Sequence, residues 1–263
     1  MTVYGPRCQV HTDRTGSSRP TALLRLIVVH TSEGSEGTSS AENLCSFMTQ
    51  PGDRPNPDGT RYGASYHYVT DTDRVLPAAP DNVVAYAAAG ANHDGIHICI
   101  PGKAGQTRQQ WTDDTSIGYL VQVAAVMRDV ADRYDIPLTR LTVADILEGS
   151  PGYCGHVHVS LAYKRSTHTD PGVAFPWDLL AELLAPTPPI PEGLPMIFLW
   201  KPKGYKNVFL VDSGGAVHCS PQLLTAAYAV PDIVQVPDPD GHKQMLKSVL
   251  ALSGIDAGDL IPE

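Results

Sequence analysis

The sequence predicts an α/β fold in which a central mixed β-sheet is flanked by helices, with a small C-terminal α+β domain after it. Short runs rich in β-branched residues alternate with segments of helical periodicity, which is typical of a sheet covered by helices. A proline-rich stretch, "APTPPIPEGLP", then divides the chain. The predicted parts are an N-terminal arm at 1–21, a main domain at 22–185, a linker at 186–195 and a C-terminal domain at 196–263.

The strands of the main domain are predicted from three segments. "LLRLIVVHTS" (23–32) and "GIHICI" (95–100) have the length and composition of buried strands. "ASYHYVTDTDRVLPAA" reads as a hairpin with its turn between Thr70 and Asp73. In the C-terminal domain, "MIFLW" and "VFLVD" are predicted to be strands.

Helices are predicted where apolar residues recur at three- and four-residue spacing. The strongest lies in 112–137, behind an Asp/Thr cap, and its apolar positions are Ile117, Leu120, Val121, Ala124, Met127 and Ala131. "LTVADILEG" predicts a second, shorter helix. "FPWDLLAELLA" predicts a third, with Pro176 in its first turn.

Composition excludes several classes of protein. With 42% hydrophobic residues, 18% charged residues and a net charge of -9, the chain is globular and has no basic face for nucleic acid. Its apolar runs are too short to span a bilayer, and "MTVYGPRCQVHTDRTGSSRP" has no apolar core of a signal peptide. We therefore expect synthesis in the cytoplasm without a signal peptide, and no membrane insertion.

The five cysteines have no paired spacing and include no CxxC motif. An odd number without such pairs is not a disulfide framework. The sequence therefore predicts reduced cysteines and a reducing compartment.

The histidines raise the question of a metal site. His30 ends the first strand and shares one face with Leu26 and Val28, since side chains alternate along a strand. A buried imidazole needs a partner, and a backbone carbonyl would serve as well as a metal. Together, however, His30, His156 and Asp170 offer two imidazoles and one carboxylate, which suits a catalytic zinc ion that keeps one position open for water.

Four motifs before the linker appear in the order found in one enzyme family. They are "LIVVHTS", the hairpin "SYHYVTDTDRV", the strand "ANHDGIHICIPG" and the closing segment "GHVHVS…THTDPG.AFPW". Over roughly residues 22–185 the chain resembles the zinc-dependent N-acetylmuramoyl-L-alanine amidases of the type-2 amidase family. These occur in phage endolysins and wall-recycling enzymes, and they share a fold with peptidoglycan recognition proteins.

The resemblance implies a set of site residues. It places the zinc ligands at His30, His156 and Asp170, while His158 is not counted as a ligand. Tyr66 takes the hairpin tyrosine position near the metal, and His168 stands where relatives commonly have a cationic donor.

The strand "GIHICI" departs from the family pattern. Cys99 stands where relatives often have a catalytic glutamate, and His97 stands where they usually have glycine. Cys99 is therefore a candidate catalytic residue with Tyr66 and His168, although a small buried hydrophobe fits that position equally well. Alternation places His97 and Cys99 on one face, so His97 is expected to look toward the cleft.

The activity implied by the resemblance is hydrolysis of the amide between N-acetylmuramic acid and L-alanine in bacterial peptidoglycan. The implied cofactor is Zn²⁺, and the implied source is a bacteriophage lysin, released at the end of infection or carried in a virion. The C-terminal domain is then expected to bind a host wall polymer or to dock the enzyme into the virion.

Two other functions compete with this hypothesis. A protein of the same fold can bind peptidoglycan without cutting it, usually because a ligand position has been lost. A cysteine peptidase would use Cys45, Cys99 or Cys154 with a downstream histidine.

Overall fold

A computed structural model describes residues 4–37 and 39–185, with the backbone of three further strands. These strands are Phe198–Trp200, Phe209–Asp212 and Gly215–His218, and they form an antiparallel sheet that confirms the strands predicted in "MIFLW" and "VFLVD". The predicted linker at 186–195 and the rest of the C-terminal domain lie outside the described residues.

The main domain contains a five-stranded mixed sheet, as predicted. The strands of residues 4–185 are β1 (Thr15–Ser18), β2 (Leu26–Thr31), β3 (Arg54–Pro55), β4 (Arg61–Tyr62), β5 (Tyr68–Thr70), β6 (Val75–Pro77), β7 (Val83–Ala85), β8 (Gly95–Ile100) and β9 (Gly152–Gly155). The order in the central sheet is β6-β5-β8-β2-β9. Strand β2 is parallel to both neighbours, β8 is parallel to β5, and the hairpin strands β5 and β6 are antiparallel.

Helices flank this sheet. They are α1 (Ser40–Thr49), α2 (Arg108–Trp111), α3 (Asp114–Tyr134), α4 (Val143–Glu148), α5 (His156–Tyr163) and α6 (Trp177–Leu184). The three predicted helices correspond to α3, α4 and α6. Helix α3 begins where Asp113 accepts a hydrogen bond from the Ser116 amide, and it ends at Asp135, which has left-handed backbone with φ of 54°. Pro176 is the cap before α6 and does not lie in its first turn.

The two faces of the central sheet differ. We call the side that carries Ile27 and Val29 the helix face, because these residues share one apolar cluster with residues of α3 and α6. We call the opposite side, which carries Leu26 and Val28, the site face. The site face packs against Ala88, Ala91, Cys154, Val159 and Ala162, among others.

The segment predicted as an N-terminal arm at 1–21 is built into the domain over its described residues, 4–21. Strand β1 pairs with β7, and the side chains of Arg14 and Arg19 are almost fully buried. Arg19 donates to the carbonyls of Asp81, Asn92 and Gly95. The arm looked irregular because its charged side chains are held by backbone carbonyls, which a hydropathy pattern does not reveal.

The prediction that the cysteines are unpaired is wrong for Cys8 and Cys45. They form a disulfide with Cα atoms 5.1 Å apart, which links the N-terminal segment to α1. The sequence separation of 37 explains the error, because spacing patterns detect only local pairs. Cys99 and Cys154 are free and buried.

Within the described residues, no helix has the length and hydropathy needed to cross a membrane.

Candidate metal centre

The three predicted ligands come from elements that end at one edge of the sheet. His30 is the fifth residue of β2, and His156 is the first residue of α5, directly after β9. Because β2 and β9 are parallel and Val29 pairs with Gly155, the two histidines follow paired positions. Asp170 lies in the loop before α6, and its backbone carbonyl accepts from the Val157 amide. That hydrogen bond ties the loop to the start of α5.

The side chains of His30, His156 and Asp170 converge. Nδ1 of His30 lies 3.2 Å from Oδ2 of Asp170, and Nδ1 of His156 lies 3.1 Å from Oδ1 of the same carboxylate. One ligand atom from each residue falls within 4.8 Å of the others, and all three residues are buried. Among the described residues, no other group of three His, Cys, Asp or Glu side chains is arranged to hold a metal ion.

The electrostatics favour the protonation states that a metal needs. Burial lowers the pKa of His30 to about 4, so its imidazole is neutral at physiological pH. Burial acts against the charged form of Asp170, but hydrogen bonds with His156 and His30 outweigh it and hold the pKa of that carboxyl well below its usual value. A neutral imidazole and an ionised carboxylate are the forms that bind zinc.

A cavity of about 570 Å³ opens over this group. His156, Asp170, His168 and Tyr66 line it. Sequence reasoning missed the charged residues of its wall, which include Glu33, Arg54 and Arg165. One feature of the sequence could have identified Glu33, namely its place two residues after strand β2. In the structure Glu33 has left-handed backbone with φ of 56°. The arginines come from segments with no local pattern.

His168 lies beside the predicted ligands. Its ring stacks on that of His156 at 4.4 Å between centroids, and its Nδ1 is 3.7 Å from Oδ1 of Asp170. Its side chain is 53% exposed, so it also meets solvent in the cavity. Partial burial and the neighbouring His156 lower the pKa of His168, which favours the neutral ring at neutral pH.

Tyr66 lines the cavity, and the buried Cys99 is its neighbour. The Tyr66 ring is 5.3 Å from that of His30, and the Cys99 thiol donates to the Ile100 carbonyl. Burial raises the pKa of Tyr66 and of Cys99 well above their ordinary values, so both groups stay protonated. Cys99 is fully buried and is not among the residues that line the cavity. A thiol in that position lacks the properties of a general base.

His97 and His158 point away from the cavity. The His97 ring is fully buried behind His30, so the expectation that it looks toward the cleft is wrong. Strand alternation gave its face correctly, but the ring of His30 separates it from the cavity. Nδ1 of His158 accepts from the Gly155 amide at the start of α5, which agrees with its not being counted as a ligand. The sequence also gave no sign that α5 is a helix, because "HVHVS" has the alternation of a strand.

Several solved structures resemble the chain at low sequence identity. A Staphylococcus aureus hydrolase, AmiA, solved with its ligand, is 18% identical and has a TM-score of 0.49, over 70% of this chain and 85% of that one. The N-acetylmuramoyl-L-alanine amidase LysC from Clostridium intestinale is 15% identical with a TM-score of 0.43, over 68% and 97%. A selenomethionine derivative of AmpD is 20% identical with a TM-score of 0.45, over 70% and 94%. Likeness at this level does not carry a function.

No curated protein matches the chain significantly. The family model for N-acetylmuramoyl-L-alanine amidases, Amidase_2, matches residues 19–173. The matched span is more than half of the chain, and it contains β2, α5 and the loop that carries Asp170. The chain therefore belongs to the N-acetylmuramoyl-L-alanine amidase family.

Proposed function

We propose that this protein is a zinc-dependent peptidoglycan hydrolase that cleaves the amide between N-acetylmuramic acid and L-alanine. One observation carries the proposal: His30, His156 and Asp170 converge at the base of a cavity with Nδ1 of both histidines turned toward the carboxylate. Two imidazoles and one carboxylate form a ligand set of catalytic zinc sites, in which a fourth position stays open.

The residues present fit a zinc ion. Three protein ligands with one negative charge balance part of the charge of Zn²⁺, and their burial excludes competing water. When bound there, zinc supplies Lewis acidity, which polarises a carbonyl and lowers the pKa of water toward roughly 7.

His168 is proposed to carry a proton from the attacking water to the leaving nitrogen. Its neutral ring takes a proton from the attacking water as the oxygen adds to the amide carbon. The protonated ring then donates to the nitrogen of L-alanine as the C–N bond breaks, which releases a free amine and the lactyl carboxylate. Stacking on His156 and proximity to Asp170 hold the ring at the cavity wall during both transfers.

Tyr66 is proposed to stabilise the oxyanion of the tetrahedral intermediate. Burial keeps its hydroxyl protonated, and the neighbouring Cys99 sulfur is at most a weak acceptor, so the hydroxyl can donate to a substrate oxygen. A positioned donor of this kind typically contributes about 10²–10³ in rate. Cys99 would take no part as a base.

Arg54 and Arg165 suit the anionic part of the substrate. Both line the cavity that contains His168, and guanidinium groups bind carboxylates in a bidentate geometry. Stem peptides carry free carboxylates beyond L-alanine, so we propose that these residues orient the peptide.

We further propose that the enzyme is a phage lysin, either free or virion-associated. The support is the sequence of β8, where cysteine at position 99 resembles a variant found in some phage amidases. The C-terminal domain is proposed to bind host wall polymer or a virion component.

The rival functions have less support. A binding module without activity usually lacks a ligand position, and here all three are filled and buried. A cysteine peptidase needs a reactive thiolate, but Cys45 is in a disulfide, and burial raises the pKa of Cys154 to about 12.

The bond that is cut tests the proposal. Purified peptidoglycan digested by the full chain should yield fragments with new L-alanine amino termini, identified by mass spectrometry. New reducing sugar ends or cleaved cross-bridge peptides in place of those termini would contradict it.

A further inference from the structure

We propose that His97 is a positioning residue that orients the ligand His30 by accepting a hydrogen bond from its outer ring nitrogen. The proposal deepens the proposed function and rests on it, because it concerns how the metal site is held. It assigns a role to a side chain that the family pattern does not supply, since relatives usually have glycine at this position.

The orientation of the His30 ring determines which of its nitrogens faces His97. Nδ1 lies 3.2 Å from the Asp170 carboxylate, on the side where the ligands converge, while Nε2 lies 3.1 Å from Nδ1 of His97. A neutral imidazole has one N–H, and in this structure it lies on Nδ1 and donates to Asp170. When Nδ1 instead offers its lone pair to a metal, the proton must move to Nε2. That proton then points at Nδ1 of His97, which must act as the acceptor.

Contacts with His67 fix the position of His97 on the side away from His30. The His97 ring lies between two others, 5.2 Å from His30 and 5.5 Å from His67, and it stacks on His67 with 21° between the planes. The backbone amide of His97 donates to Nδ1 of His67, and the His67 amide donates to the His97 carbonyl. All three rings are fully or almost fully buried, so His97 has one arrangement.

His67 is itself held by β7. Because its Nδ1 accepts from a backbone amide, its proton lies on Nε2, which is 3.1 Å from the carbonyl oxygen of Val83. The guanidinium of Arg19 lies beside the same nitrogen. Burial and the charge of Arg19 lower the pKa of His67 to about 3. The support therefore runs from Val83 of β7 through His67 and His97 to His30.

The far side of His97 argues against a purely structural role. With Nδ1 as acceptor, the proton lies on Nε2, which is buried and has no hydrogen-bond partner among the described residues. An unpaired buried donor costs about 1–3 kcal/mol, which a ring present only to fill space would not need to carry. The ring is better explained by what its other nitrogen does for His30. Outer partners of metal-bound histidines typically change metal affinity by about 10–100-fold.

The test compares two substitutions at position 97 in the full-length protein. Asparagine places Oδ1 close to the position of histidine Nδ1 and keeps an acceptor, whereas leucine removes it. We expect His97→Leu to weaken zinc binding by about 10–100-fold and His97→Asn to stay near the wild type. Zinc affinity is measured on metal-depleted protein by competition with a chromophoric chelator. His93→Asn, on the exposed turn before β8, is the matched control and should leave affinity unchanged.

Two further readouts separate positioning from folding. The visible spectrum of the Co²⁺-substituted protein should change in His97→Leu and be retained in His97→Asn, because it reports ligand geometry. The metal-free melting temperature of His97→Leu should stay near that of the wild type, because the unpaired Nε2 of His97 is removed while Nε2 of His30 loses its partner. If leucine destabilised the apoprotein, the asparagine variant, which also lacks the ring, would still decide the matter by its zinc affinity and cobalt spectrum.

The inference is overturned if His97→Leu binds zinc as tightly as the wild type, or if asparagine and leucine weaken binding equally. Either result would leave the proposed function intact as long as the wild type binds zinc and cleaves the amide. A wild-type protein that failed to bind zinc would refute the proposed function instead.

Discussion

The two faces of the central sheet use the same strands in different ways. On the helix face, Ile96, Ile98 and Ile100 of β8 enter the apolar cluster with α3 and α6. On the site face, the intervening His97 and Cys99 lie behind the candidate metal centre, next to His30 of β2. Alternation therefore lets one six-residue strand contribute to the apolar core on one face and contact the candidate ligand His30 on the other. The helix face should determine stability and the site face should determine activity.

Removal of the carboxylate ligand should have the largest effect. Asp170→Asn keeps the shape of the side chain but removes the charge that lies 3.1 and 3.2 Å from the two ligand histidines. We expect hydrolysis to fall to background and zinc content to fall with it, because the set of three ligands is broken. Metal analysis and a turbidity assay on cell walls measure both. Retention of zinc with wild-type activity would show that Asp170 is not a ligand.

The second largest effect is expected when His168, the proposed proton carrier, is replaced. His168→Gln should lower kcat by about 10²–10⁴-fold, since general acid–base catalysis is lost, while zinc content stays at the wild-type level. Because the His168 side chain is about half exposed, the substitution should leave the fold and its stability unchanged. A variant with bound zinc and near-wild-type kcat would rule out the role assigned to His168.

A substitution that creates a cavity on the helix face should lower the stability of the protein without lowering its activity. Ile98→Ala removes a fully buried side chain and should lower the free energy of unfolding by about 2–5 kcal/mol. The kcat of the folded protein should change little, because the neighbouring site-face residues keep their contacts. Urea unfolding and kcat at a temperature well below the transition measure the two quantities. A large loss of kcat without a loss of stability would contradict the division between faces.

The smallest expected effect is an acid dependence of stability. The pKa of His67 is lowered to about 3, from 6.5, so the native state stays unprotonated where the unfolded chain takes up a proton. The contribution is therefore fully present above pH 6.5 and is lost as the pH falls toward 3. Stability of the apoprotein should decrease by about 1.4 kcal/mol per pH unit for this one proton.

His67→Gln is the control for that slope. Glutamine does not titrate, so the variant should lose less stability per pH unit than the wild type over the same range. Equal slopes in the two proteins would show that His67 is not held neutral in the native state.

The sequence predicted the parts of the fold that repeat a local period. Strands β2 and β8, the hairpin and helix α3 follow from alternation or from three- and four-residue spacing. The candidate ligands needed more than spacing, because 126 residues separate His30 from His156 and only the order of the family motifs connects them. Their convergence depends on the parallel pairing of β2 with β9, which no local pattern encodes.

The features that the sequence missed depend on distant contacts. Arg19 looked like part of a polar arm, yet it is buried because three carbonyls from other segments accept its hydrogen bonds. The pairing of Cys8 with Cys45 likewise depends on how the N-terminal segment meets α1. His97 was placed on the correct face, but the ring that separates it from the cavity belongs to another strand.

Zinc titration of the metal-depleted full-length protein tests the central claim most directly. The rate of L-alanine amine release from peptidoglycan should rise linearly with added zinc and level off at one zinc ion per chain. Asp170→Asn should show no such rise. Amide cleavage that persisted after verified metal removal would contradict the assignment of His30, His156 and Asp170 as a catalytic metal centre.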